Sequence, residues 1–427
     1  MPSVVGMVTV TEVGVRFGVV ADLVLVGRTM VVVRQGDSSH RARTAMAFGS
    51  PDSCQLVAGR TPRLISMSTP VLTLRDLNRA TLARQLLLER HSIPPLDAIE
   101  HLAGLQAQSP MDPYLGLWAR IEGFDPEALS TAIQERRVVR AQLMRATIHM
   151  VTAADHPYFA GVTADVLRRV FRTTPFARET AEVDFADLLE RGRRLLEDRP
   201  LSRAELGRAL REIWPQIEPV SLAQAVTYHL PLVQVPPRGL WRRSGSARWA
   251  HAEDWLGVPP EREPTPDRLM LRYLAAFGPA SVADARTWSN LTGLAEVFDR
   301  LRPQLIVFRD EDGRELFDLE DAPRPPADTP APCRFLPEFD NVLLSHADRR
   351  RVAPGRTPDP WTGSVLVDGV VAGQWRYRND RGDAHLTVRL FDRPVRSTRD
   401  EIEGEAGRLA RFLAPEGVDP DLRIEDP

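Results

Sequence analysis

One run of local structure is written into this chain three times. From Thr73 the apolar residues Leu74, Leu77, Ala80, Leu82, Leu86 and Leu87 recur at three- and four-residue steps, the stripe of an amphipathic helix. Pro94-Pro95 opens a second helix that reaches Leu105, and a third runs from Pro126 to Gln134. The period then drops to two in VVRAQLM and ATIHMVTA, which flank Arg145 as a β-hairpin. The second cycle starts at the capping box Ser202–Glu205, continues with a helix over Leu222 to Leu230, and ends with LVQV and ARWAHA around a tip, PPRGLWRRSGS. The third starts near Asp267, has a box-like start at Ser281 and Asp284, then a helix over Gly293 to Leu301 and two strands joined by Asp312-Gly313. Short helices followed by a hairpin are the pattern of a winged helix-turn-helix, and three cycles predict a tandem α+β array.

Six stretches follow: an N-terminal extension over 1–66, winged helix 1 over 67–152, a helical connector over 153–198, winged helix 2 over 199–258, winged helix 3 over 259–321, and a Pro-rich linker with a β-rich C-terminal part over 322–427. The linker is APRPPADTPAP, whose proline density forbids helix and central strand. The first 66 residues are Val- and Gly-rich, and Glu12, Arg16 and Asp22 interrupt any apolar span. They read as an over-extended gene start or a β-rich tail, with Met67 a plausible true beginning.

Charge and cysteine content narrow the function classes. A net charge of −3 supplies no global field toward nucleic acid, so DNA contact must come from local arginine clusters. Cys54 and Cys333 stand far apart and belong to no metal-ligand spacing, which points to a reducing cytoplasm without a disulfide framework, structural zinc or cofactor motif. All 55 basic side chains are arginine, so no lysine amine is present for Schiff-base chemistry.

A winged helix sets one helix in the major groove and its hairpin on backbone or minor groove. The predicted DNA contacts are therefore Arg145 and His149 on the first hairpin, and Arg238, Trp241, Arg242 and Arg243 on the second. Trp241 at a tip can stack on a base or wedge into the duplex; packing on its own domain is the alternative. The acidic third hairpin, with Asp310, Glu311, Asp312 and Glu315, reads as structural.

The stretch AGLQAQSPMDPYLGLWARI holds the candidate catalytic pair, Gln106 and Gln108. In an extended segment residues i and i+2 point the same way, so both carboxamides can converge on one point. Residues alone favour amides that cap orphan helix carbonyls. Asp112, Glu338 and Asp340 are further acids to consider.

Gln106-Ala107-Gln108 resembles the Gln–apolar–Gln signature of the AlkZ branch of the AlkZ/YcaQ winged-helix DNA glycosylases. RATIHMV, PPRGLW, FGPAS and FLPEFDNVLLSHADR also resemble segments of that group, in order, and the likeness covers Leu72 to about Leu413. The resemblance implies tandem winged helices in a C shape around double-stranded DNA. It also implies a cytoplasmic, monomeric enzyme that hydrolyses the N-glycosidic bond of N7-alkylated purines, including bulky adducts and crosslinks from alkylating natural products. Gln106 and Gln108 would then place the attacking water, without metal or cofactor. A non-enzymatic winged-helix DNA-binding protein or transcription regulator is the competing reading.

Overall fold

A computed structural model describes residues 69–380 and 383–427. The N-terminal extension, its boundary at Met67 and Cys54 lie outside the described residues.

The three cycles share one connectivity. In the first, helix Pro95–His101 leads to strand Leu105–Gln106, helices Asp112–Trp118 and Pro126–Gln134, and the hairpin Val138–Gln142 with Ile148–Thr152. The short strand pairs antiparallel with the second hairpin strand. The second repeats this with helix Phe185–Asp198, strand Leu201–Ser202, helices Arg203–Arg211 and Pro219–His229, and strands Leu232–Val235 and Arg248–His251. The third uses helices Asp267–Phe277, Val282–Ser289 and Leu294–Leu301 with the hairpin Ile306–Asp310 and Glu315–Asp318. There the short strand shrinks to one bridge between Ala280 and Phe317. Local chemistry fixes the starts. The hydroxyls of Ser202 and Ser281 cap the amides of Glu205 and Asp284, whose carboxylates reach back to the cap residue's backbone N–H.

Two features differ from the expectation drawn from periodicity. The opening helix, Leu74–Arg84, precedes the first cycle in sequence but packs on the third. Val71–Leu72 extends the third hairpin in parallel, Gln85 donates to the Ala276 carbonyl at 2.7 Å, and Arg84 pairs with Asp318 at 2.6 Å, both side chains fully buried. Second, the first two hairpins do not stand free. Val138–Gln142 pairs with Leu232–Val235, Arg140 opposite Gln234, so the two cycles share a six-stranded sheet. Both faces of that sheet are covered: Val138, Ile148 and Met150 enter one core, while Val139, Ala141 and Val151 enter another under helix His156–Phe171. An alternation that predicts one solvated face is here an alternation between two cores.

The C-terminal part is a five-stranded sheet, Arg334–Leu336, Gly363–Val367, Val370–Asp380, Asp383–Leu390 and Asp421–Glu425 in that order, with helix Arg396–Leu413 on it. Arg120 and Asp340, both buried, form a two-pronged ion pair at 2.8 and 2.9 Å that locks it to the first cycle. Among the described residues no helix is long and apolar enough to cross a membrane.

Candidate active site

Gln106 ends the two-residue strand Leu105–Gln106, opposite His149 on the first hairpin. Gly104 makes the entry to that strand possible. Its φ is +90°, and a Cβ there would lie 2.8 Å from Val151 Cγ1 and 3.1 Å from the Met150 carbonyl. Helix Pro95–His101 therefore ends early, and the predicted helical register through Leu105 gives way to an extended strand.

The Gln-Ala-Gln segment is tied to the hairpin along its whole length. Arg145 Nη2 donates to Gln106 Oε1 at 2.6 Å, and the Ile148 amide donates to Gln108 Oε1 at 3.2 Å. Between them the Ala107 amide donates to the Ile148 carbonyl at 2.8 Å, and the Ala107 carbonyl accepts from Arg140 Nη2 at 2.7 Å. Each carboxamide oxygen keeps its second lone pair, and neither Gln Nε2 donates to a protein group among the described residues. The site thus presents two fixed acceptors and two amide donors.

Arg145 sits in the left-handed region, φ 55°, followed by Ala146 at φ 57°. Two consecutive non-glycine residues there cost roughly 1–3 kcal/mol each. The surroundings hold them: the other Arg145 nitrogen donates to the Trp288 carbonyl in the third cycle. Burial, with Arg349 nearby, lowers the Arg145 pKa to about 10. His149 is buried, its Nδ1 3.0 Å from the Thr147 carbonyl, and burial beside Arg145 lowers its pKa to about 3, so the ring is neutral. Arg145 thus bridges Gln106 and the third cycle from a half-buried position, and His149 lies buried opposite Gln106 with its ring on the Thr147 carbonyl.

Arg140 carried no sequence signal beyond its place in the alternation. It is 2% exposed, and only Nη2 has a partner; Nε and Nη1 are buried without one. Burial, then the charge of Arg238, lowers its pKa to about 10.

The second hairpin's residues separate. Trp241 is packed, its ring 5.1 Å from Tyr114 and 5.0 Å from Phe412, so it is no free wedge. Arg242 stacks on Trp241 at 5.2 Å and donates to the carbonyls of Phe412, Leu413 and Ala414 at the end of the last helix. Arg238 reaches the Gly245 carbonyl at 3.2 Å, and Arg243 is exposed with no side-chain partner among the described residues. Asp340 is spent on Arg120. Asp112 and Glu338 instead line one cleft together with Ser109, Arg242, Arg376 and Arg378. Burial and the neighbouring Glu338 hold the Asp112 carboxyl well above its ordinary range, and burial with Asp359 raises Glu338. Among the described residues no three His, Cys, Asp or Glu side chains are grouped to hold a metal.

Comparison with known proteins agrees with this architecture. The family model for the DNA glycosylase AlkZ-like family matches residues 99–412, a span that contains the Gln pair and its supports. An interstrand DNA cross-link repair glycosylase of Streptomyces sahachiroi is 25% identical over 359 residues, covering 77% of this chain and 93% of the relative. The solved Streptomyces sahachiroi DNA glycosylase AlkZ superposes with a TM-score of 0.65 at 21% identity, over 84% of this chain and 100% of that one, and so shares its fold. With a family match over most of its length, this chain belongs to the AlkZ-like DNA glycosylase family.

Proposed function

We propose that the chain is a monofunctional DNA glycosylase that hydrolyses the N-glycosidic bond of N7-alkylated purines in double-stranded DNA, including bulky adducts and interstrand crosslinks. Each helix–strand–helix–helix–hairpin cycle is read as a winged helix, arranged around a DNA-sized concavity, and the protein acts as a monomer in the cytoplasm. The observation that carries the reading is the Gln106-Ala107-Gln108 segment, anchored by Arg145 and Ile148 within the family-matched region.

The chemistry follows from the residue types. Alkylation at N7 makes the purine cationic, so the base leaves without a strong general acid. What remains is to hold a water against the oxocarbenium-like C1′ and to steady the developing charge. The second lone pairs of Gln106 Oε1 and Gln108 Oε1 accept the water's hydrogens and aim its oxygen. Amides are weak bases, and the guanidinium of Arg145 weakens the Gln106 oxygen further, so the water is placed rather than deprotonated. Such a site suits good leaving groups and discriminates against neutral bases. The absence of lysine favours hydrolysis without strand cleavage.

DNA affinity is assigned to Arg238 and Arg243 beside the second hairpin, with Arg242 and Trp241 shaping that surface and Arg145 and His149 supporting the Gln pair. Incubation with duplex containing N7-methylguanine, followed by chromatography for the free base and a check for strand breaks, tests the proposal. Free base with intact strands is expected; no free base would overturn it.

A further inference from the structure

Arg140 holds its charge inside the shared sheet with Nε and Nη1 buried and unpartnered. It stands in the middle of strand Val138–Gln142, opposite Met150 on one side and Gln234 on the other. Alternation puts its side chain on the same face as Val138, Ile148 and Met150, which all enter one apolar core. A guanidinium with unpaired N–H groups is costly there, and an apolar side chain would fill the same face without that cost. A cation kept on those terms needs a reason beyond packing.

Two contacts supply one. Arg140 Nη2 donates at 2.7 Å to the Ala107 carbonyl, the peptide oxygen between the two glutamines. The rest of the side chain lies against Gly239 in the turn of the second hairpin, where a Cβ would come within 3.0 Å of Arg140 Cδ and 3.1 Å of Nη1. Gly239 has φ +96°, so bare backbone closes over the guanidinium. The first cycle fixes that turn from its own side. Tyr114 Oη donates to the Gly239 carbonyl at 2.8 Å, and Ser130 Oγ accepts from the Trp241 amide at 2.9 Å. Arg238, next to Gly239 in the chain, is near enough for its charge to act on Arg140. Contacts therefore run without a break from the turn that carries Arg238, through Arg140, to the peptide that Gln106 and Gln108 flank.

We propose that Arg140 is a positioning residue for base release: it holds the Ala107 peptide against the second-cycle turn and so sets both glutamines relative to DNA bound at that turn. The inference rests on the glycosylase reading and deepens it. Arg145 and the Ile148 amide grip the two carboxamides, whereas Arg140 grips the backbone between them. A tilt of that peptide swings both carboxamides at once. At 2% exposure Arg140 makes no phosphate contact, so its removal acts on rate and not on affinity.

The test compares Arg140→Met, Arg140→Lys, Gly239→Ala and the double variant Arg140→Met with Gly239→Ala. Single-turnover release from N7-methylguanine duplex is measured with DNA affinity, its salt slope and the urea midpoint. Arg140→Met should slow release about tenfold or more, with affinity and salt slope unchanged. Arg140→Lys should recover part of that rate, because one N–H donor is enough for the Ala107 carbonyl. Gly239→Ala pushes on the guanidinium and should slow release too, with little further loss in the double variant, since both changes act through one contact. Wild-type release by folded Arg140→Met, no recovery in Arg140→Lys, or fully additive losses would overturn the proposal. The Arg140 variants, or Gly239→Ala with its rate and affinity, carry the test alone if the other does not fold. Release by the wild type that Arg140→Met leaves unslowed ends the positioning role and keeps the glycosylase, whereas no release by the wild type ends both.

Discussion

Arg145 Nη2 lies 2.6 Å from Gln106 Oε1, and the same guanidinium bonds the Trp288 carbonyl, so one side chain links the Gln pair to the third cycle. Its backbone is in the left-handed region and its half-buried guanidinium is held at two acceptors, which is the geometry of a strut. Arg145→Ala should slow single-turnover base release about tenfold or more, because a misplaced amide no longer aims the water. Arg145→Lys should recover little, since an ammonium cannot serve both acceptors with a planar fork. The salt dependence of DNA binding should stay unchanged. A slope flattened by about one counter-ion would identify Arg145 as a phosphate contact instead.

Arg243 is the opposite case, exposed and without a partner among the described residues. Arg243→Ala should weaken DNA binding and reduce the magnitude of the salt slope by about 1. An unchanged slope would remove Arg243 from the interface. Arg242 should behave differently, since its donors already serve the last carbonyls of helix Arg396–Leu413.

The Arg120–Asp340 pair is a stability element. Arg120→Met would leave Asp340 buried and without its ion-pair partner, which costs roughly 3–5 kcal/mol. Urea denaturation should show that loss as a lower midpoint. Arg120→Met combined with Asp340→Leu should recover part of it. A single variant as stable as wild type would contradict the role given to the pair.

Stability should also depend on buried histidine. Burial lowers the His156 pKa from 6.5 to about 4 and that of His149 to about 3, so the folded state binds fewer protons than the unfolded one below pH 6.5. The contribution is complete above that value and is lost as pH falls toward the folded pKa, at about 1.4 kcal/mol per pH unit for each ring. His156→Leu should remove one such increment from the slope between about pH 6 and the folded value near 4. The raised Asp112 and Glu338 act in the opposite sense and cancel in that comparison. Equal slopes for wild type and variant would show that His156 is protonated in the fold.

Much of this was legible in the chain. The boxes at Ser202 and Ser281, the Asp312-Gly313 turn and the helix Pro126–Gln134 rest on local chemistry that tertiary contacts did not override. The Gln pair was visible as i, i+2 amides, but not its anchoring, because Arg145 and Ile148 reach it through hairpin pairing. The shared sheet was hidden for a related reason: alternation reports two faces, not what covers each. The periodicity of helix Leu74–Arg84 points to its sequence neighbours, yet Arg84 finds Asp318 across 234 residues. The cleft was the least legible feature, since Asp112, Glu338 and Trp361 come from separate segments with no common motif.

Gln106 and Gln108 are proposed to place the water that releases a cationic base. Single-turnover release of N7-methylguanine from duplex by Gln106→Ala and Gln108→Ala tests that placement, with DNA affinity determined alongside. Each variant should lose about 10²–10³ in rate while affinity hardly changes. Gln108→Asp should retain activity if a carboxylate takes over the placement. Wild-type rates from both alanine variants would return the two amides to a structural role.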